Sequence, residues 1–119
     1  MDLDKFCNDI MTLDSKIRFA GILGRNGDII GGGHNVLADK LLSTSESKMS
    51  FHYSAQRWDS FQNLAHKIGN EKYSITEFEK VKYISIPLDN KNLILISSDT
   101  DCDHGNVVNE VLKLKETQE

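Results

Sequence analysis

Between residues 3 and 13 the apolar positions Leu3, Phe6, Cys7, Ile10 and Met11 recur at steps of three and four. That spacing sets them on one stripe of an amphipathic helix, with Asp2 placed to cap it. From Ile17 the pattern becomes a strand-like run of about eight residues that ends near Asn26-Gly27, and a second apolar run follows through Ile29 and Ile30. Asn-Gly between apolar runs predicts a tight hairpin turn, because both residues tolerate positive φ. A two-residue turn would set Arg25 opposite Asp28, Leu23 opposite Ile30, Ile22 opposite Gly31 and Gly21 opposite Gly32. It would also put Phe19, Leu23 and Ile30 on one face and Ala20, Ile22 and Ile29 on the other, so both faces need covering.

A bridge containing Leu37, Leu41 and Leu42 follows. Ser43 and Glu46 then have capping-box spacing and Gly69 stands where a helix would stop, predicting one long second helix. The segments YSITEF, KVKYISIPL and NLILISS are each of strand length, and DNK between the last two predicts another tight turn. Val81 to Leu88 and Leu93 to Ile96 are apolar on both faces, as central strands are; Pro87 is tolerable there only where no N–H is needed. Beyond the polar loop SSDTDCDHG, the positions Val107, Val108, Val111, Leu112 and Leu114 stripe a terminal helix. The order helix, two strands, helix, three strands, helix predicts an α/β chain of α+β type, with a five-stranded antiparallel sheet between helices.

The 119 residues are one domain's worth, 1–119, and 39% hydrophobic with 27% charged content is the composition of a chain that folds unaided. A net charge of -4, from 14 basic and 18 acidic residues spread along the chain, supplies no basic surface for DNA or RNA. The apolar stretch NLILISS is too short to cross a bilayer, and the acidic start MDLDKF lacks the basic region of a secretory signal. The expectation is a cytoplasmic protein without membrane or nucleic-acid partners. Cys7 and Cys102 lack CxxC spacing and are expected to stay reduced.

Set in this order of elements, KIRFAGILGRNGDIIGGG and KVKYISIPLDNKNLILISSD resemble the roadblock and profilin-like group of small α/β domains. More narrowly, the opening strand and the closing Asp-x-Asp-His element, Asp101 to His104, are similar to uncharacterised single-domain proteins of ammonia-oxidising archaea. The resemblance covers essentially the whole chain. It implies sheet order 2-1-5-4-3, with the second helix on one face and the first and last helices on the other. It also implies a homodimer built from the second helix and an edge strand, acting as a scaffold or docking a cytoplasmic partner of small-GTPase type. It carries no catalytic residues, and no cofactor is expected.

The candidate chemical sites are sparse. Gly31 to Asn35 read GGGHN, which is neither GxxxxGK nor GxGxxG, so the glycines read as close-packing positions and His34 as a loop residue. In the acidic loop, Asp99, Asp101 and Asp103 alternate as oxygen ligands would, with Glu110 at the twelfth position. The sixth position is His104 where a calcium loop requires glycine, so a cap on the last helix by Asp103 or Asp101 is the simpler reading, and no metal is expected. His34, His52, His66 and His104 are scattered, and no serine or cysteine has the context of an activated nucleophile, which disfavours an enzyme.

The second helix is the most informative element. Met49, Phe51, Tyr53, Trp58, Phe61, Leu64, Ala65 and Ile68 sweep an arc of about 200°, wider than the ~100° stripe that one core requires. The excess predicts a partner surface of Phe51, Ser54, Trp58, Phe61 and Ala65; the competing reading tucks both flanks under the 34 to 45 bridge. Arg57 lies near the middle of the arc between Tyr53 and Phe61. It must snorkel outward, pair with Glu77 or Glu79, or join Tyr53 in holding an anion in a pocket between this helix and the sheet. Two functions follow: a homodimeric interaction or regulatory module, or alternatively a small-molecule or anion sensor.

Overall fold

The computed structural model describes residues 1–33 and 41–117, so His34, Asn35 and Leu37 of the sequence reading lie outside the described residues. Helix α1 (Leu3–Met11) begins at Asp2, whose carboxylate accepts from the Lys5 N–H, and buries Phe6, Cys7 and Ile10. Strands β1 (Ile17–Leu23) and β2 (Ile29–Gly32) form an antiparallel hairpin. Helices α2 (Thr44–Gln62) and α3 (Ala65–Ile68) precede strands β3 (Ser74–Glu77), β4 (Lys82–Pro87) and β5 (Leu93–Ser98), and helix α4 (His104–Glu116) closes the chain. All pairings are antiparallel and the sheet order is β2-β1-β5-β4-β3, as the resemblance implies.

Alternation along the central strand divides the core in two. Ile94 and Ile96 point into a large cluster with Phe6, Ile10, Ile22, Ile84, Ile86, Val107 and Val111, covered by α1 and α4. Leu93 and Leu95 point the other way, into a smaller cluster with Leu23 and Trp58 beneath α2, against which Phe19, Phe51 and Tyr83 pack. Gly31 and Gly32 serve the first of these layers. A Cβ on Gly31 would lie 2.5 Å from Leu3 Cβ, and one on Gly32 would lie 2.5 Å from Cys7 Sγ and 2.7 Å from the Ala20 carbonyl oxygen. Asp4 secures the same contact by accepting the Gly32 N–H at 2.7 Å.

The hairpin differs from the expected two-residue turn. Gly21 pairs with Gly32 and Ile22 with Gly31, but Leu23 pairs with Ile29 and leaves Ile30 as an extra residue in a bulge. The Gly24 N–H donates to Asp28 O at 2.9 Å and the Gly27 N–H to Gly24 O at 3.0 Å, with Gly27 at φ +91. The loop is therefore Arg25-Asn26-Gly27, a three-residue connection whose positive-φ glycine takes up the added length. Arg25 leaves Asp28 and donates instead to Gln62 Oε1 and Asn90 O.

The second helix is likewise shorter than expected. Its capping box is complete, with Ser43 and Glu46 each bonding the other's backbone N–H. It ends at Gln62, however, because Asn63 and Leu64 bond three residues back, to Ser60 and Phe61, and that tightening redirects the chain into α3. Gly69, at φ +88, ends α3. The acidic-loop expectation resolves in favour of Asp103, whose carboxylate caps α4 by accepting the Asn106 N–H.

Gly32 is the backbone position with least tolerance, since it combines φ +70 with those close contacts. Gly32→Ala is expected to destabilise the protein by about 2–4 kcal/mol in urea unfolding. Gly105→Ala, in α4 with only an ordinary contact at 3.6 Å, is expected to stabilise it by up to about 1 kcal/mol. Equal effects of the two substitutions would contradict the close packing of α1 on β2.

Candidate functional site

Helix α2 turns Ala55 and Trp58 to the sheet and buries both. Phe51 stacks on Phe19 with ring centroids 5.2 Å apart. Two of the expected partner residues are thus used inside the fold: Trp58 is only 3% exposed, and Phe51 is half-buried. The margin of α2 holding Phe51 and Trp58 is the one that meets the core. Of the remaining expected contacts, Ser54 and Ala65 are half-buried and Phe61 is exposed.

The opposite margin is uncovered. Met49, Tyr53, Phe61, Leu64 and Ile68 are all exposed, Tyr53 by 60% and Ile68 by 71%. Met49, Tyr53, Arg57 and Phe61 stand four residues apart and so form one continuous ridge along the helix. Within that ridge Arg57 Nη2 donates to both carboxylate oxygens of Glu71, at 2.9 and 2.7 Å, and the guanidinium lies 5.7 Å from the Phe61 ring centroid. The carboxylate partner is therefore Glu71; Glu77 instead approaches Lys82 at 3.8 Å. Glu71 lies three residues before β3, so the pair joins the α2 ridge to the start of an edge strand.

A cleft of about 560 Å³ opens between the first half of α2 and the sheet. Ser47, Lys48, Ser50 and Phe51 line it from the helix, and Arg18, Phe19, Tyr83, Leu95 and Ser97 line it from the strands. Arg57 and Tyr53, the residues expected to hold a ligand, share the ridge and are not among this lining. Sequence reasoning missed Lys48, Tyr83 and Ser97. The signal for Ser97 was present, because it takes the next place after Leu93 and Leu95 in the alternation of that strand.

The model of a family described as "Family of unknown function (DUF6659)" matches residues 2–115. The chain belongs to DUF6659. No curated protein matches its sequence. Among solved structures, this DUF6659 protein is similar to a Roadblock/LC7 domain from Streptomyces avermitilis, with TM-score 0.75 and 11% identity over 98% of this chain and 94% of that one. It is similar to the gliding protein MglB from Thermus thermophilus, with TM-score 0.75 and 14% identity over 94% and 82% of the two chains. It is similar also to profilin II of Acanthamoeba castellanii, with TM-score 0.61 and 12% identity over 96% and 94%. The fold is accordingly of the roadblock and profilin-like kind. Among the described residues of the DUF6659 protein, no helix is long and apolar enough to cross a membrane.

The acidic loop distributes its charges to separate partners. Asp99 accepts from Arg18 Nε at 2.5 Å, Asp101 accepts from Lys16 Nζ at 2.6 Å, and Asp103 caps α4. The Lys16 bond holds the Asp101 carboxyl below the usual carboxylate range and raises the lysine in turn. Among the described residues no three His, Cys, Asp or Glu side chains are grouped to hold a metal ion. His104 Nδ1 lies 2.9 Å from the buried Lys82 Nζ, which also donates to Cys102 O at 2.9 Å. Burial pushes the Cys7 thiol up to about 11, with Asp4 adding to the effect, and burial also raises Cys102. A thiol at such a value carries little thiolate at neutral pH and is a poor nucleophile.

Arg57 and Glu71 are partly shielded from solvent, with side chains 33% and 16% exposed. Arg57→Met and Glu71→Gln are each expected to destabilise the protein by about 1–2 kcal/mol, and the double variant by about 1 kcal/mol less than their sum. Urea unfolding of the four proteins measures that coupling. Strictly additive losses would show that the pair does not hold the ridge to β3.

Proposed function

We propose that this DUF6659 protein is a non-catalytic homodimeric interaction module, serving as a scaffold or regulator for a small GTPase-type partner in the cytoplasm. The exposed ridge of α2 carries the reading. Met49, Tyr53 and Phe61 have the four-residue spacing that lets the ridge of one helix enter the groove of another. Exposed apolar side chains gathered on one element are the usual mark of a protein contact. Strand β3 stands at the edge of the sheet, with no strand of the described residues on its outer side, and such an edge can accept another strand. Phe61, Ser54 and Ala65 contribute to the surface, while Phe51 and Trp58 support it from within.

The roadblock-like fold supports the same reading, and MglB, which shares that fold, has been solved in a tetrameric arrangement. The GTPase-type partner rests on the roadblock resemblance, and the archaeal resemblance, carried by Asp101 to His104, belongs to this proposal too.

Sedimentation equilibrium tests the dimer. The expected result is a concentration-dependent dimer whose dissociation constant rises at least ~10-fold in the Tyr53→Glu/Phe61→Glu variant, with the circular dichroism unchanged. A monomer at every concentration, or a dimer indifferent to both substitutions, overturns the proposal. For the partner, the expected result is retention of a small GTPase on the immobilised protein that depends on whether GDP or a GTP analogue is bound. Equal retention in both states, or none, removes that part.

A further inference from the structure

The two faces of the sheet are filled unequally, with a large buried cluster on one side and a small one on the other. On the α2 side, register places Ser97 of the central strand directly between Phe19 of β1 and Tyr83 of β4. A serine thus stands where the neighbouring leucines, Leu93 and Leu95, fill the rest of that row. Gly21, which follows Phe19 on the same face, adds no bulk, and the Phe19 ring lies over it, within 2.8 Å of where a Cβ would be. Interiors of proteins are normally packed to crystal-like density, so small residues in the middle of a covered face leave room unless the covering helix closes onto them. Helix α2 closes down at Ala55 and Trp58, and its first half stands over the cleft of about 560 Å³.

The walls of that space favour one kind of occupant. Phe19, Phe51 and Tyr83 give it aromatic sides, and Ser47, Ser50 and Ser97 supply hydroxyls. Tyr83 already donates to Ser50 Oγ at 3.3 Å, which ties its ring to the helix. The charged side chains among the described lining are Arg18 and Lys48, and that described lining includes no carboxylate. Arg18 is engaged by Asp99, whereas Lys48 is exposed and has no carboxylate partner among the described residues. A volume of this size lies within the range of small-molecule pockets, which combine apolar walls with a few polar groups that fix orientation.

We infer that the cleft between α2 and the sheet binds an amphipathic organic anion, its apolar body lying over Ser97 between Phe19 and Tyr83 and its charged group meeting Lys48. This site is separate from the α2 ridge and uses neither Tyr53 nor Phe61. It keeps the anion expected of a sensing domain but moves its anchor from Arg57, which Glu71 occupies, to Lys48.

Two probes with the same aromatic body separate the charge from the cavity: 8-anilino-1-naphthalenesulfonate, and its neutral counterpart N-phenyl-1-naphthylamine. Fluorescence titration of the folded protein is expected to give one saturable site per chain for each. Lys48→Gln is expected to weaken the sulfonate about 10-fold and leave the neutral probe unchanged, since only the charged partner is lost. Ser97→Phe, which fills the space from the sheet, is expected to abolish both. Ser47→Trp fills it from the helix, and serves where Ser97→Phe does not unfold cooperatively. Unsaturable binding, equal sulfonate affinity in Lys48→Gln, or undiminished binding in a folded cavity-filling variant overturns the inference. None of these readings depends on whether the chain is a monomer or a dimer.

Discussion

Strand β5 lies in the middle of the sheet, bonded to β1 on one side and β4 on the other, and its residues Leu93 to Ile96 are completely buried. A strand that is apolar on both faces is stable only between two covers, since neither face can be left to water. That requirement organises the chain. Helices α1 and α4, from opposite ends of the sequence, meet over Ile94 and Ile96, while α2 covers Leu93 and Leu95 from the other side. The division is uneven, because two helices share one face and a single longer helix serves the other. Nineteen residues of α2 exceed what the three buried side chains beneath it, Leu23, Leu93 and Leu95, require, and the excess takes two forms. Outward, it is the ridge of Met49, Tyr53 and Phe61; inward, it is the cleft above Ser97.

A helix packed on so small a cluster needs fastening at its flanks, and two arginines supply it. Arg25, in the hairpin loop, donates to Gln62 at the end of α2 and to the Asn90 carbonyl of the β4–β5 turn, with Asp59 3.5 Å away. The same loop presses on the middle of the helix, where a Cβ on Gly27 would lie 2.7 Å from the His52 Cα. Arg57 holds the other flank through Glu71. The planar guanidinium suits both tasks, because it can serve several acceptors from one fixed geometry while its stem covers apolar surface. The bulge at Ile30 belongs to this arrangement: the longer loop that it accommodates allows Arg25 to reach α2 instead of closing the turn onto Asp28.

Local signals in the sequence were sufficient for local structure. The capping box at Ser43 and Glu46, the cap at Asp103 and the alternation of the strands depend on residues within a few positions of one another, and they define the element order. Asn26-Gly27 located the turn but not its length, since Gly24 offered a second flexible position and either register keeps Gly21 opposite Gly32. For α2, periodicity gave the width of the apolar arc and left its orientation undetermined. Which margin faces the sheet depends on Leu23, Leu93 and Leu95 receiving Trp58, a contact between elements far apart in sequence. Arg57 pairs with Glu71, which precedes β3, while Glu77 at the far end of that strand lies toward Lys82. No spacing rule on a single helix contains that information.

The charged groups around the sheet are largely matched to one another. Arg18 is matched to Asp99, Lys16 to Asp101 and Arg57 to Glu71, while Lys82 is enclosed by the Cys102 carbonyl and His104. Drawing a group engaged in this way into chemistry first requires breaking that bond. The thiols are removed from reaction by burial. The exposed apolar side chains of α2 have no such partner among the described residues, and covering them contributes roughly 25 cal/mol for each Å² buried. A ridge of exposed tyrosine, phenylalanine and methionine therefore gains most from a second surface laid against it, whereas Lys48, beside the enclosed cleft, gains most from a small anion. The two features ask for partners of different size and charge, and a single helix holds them on separate flanks.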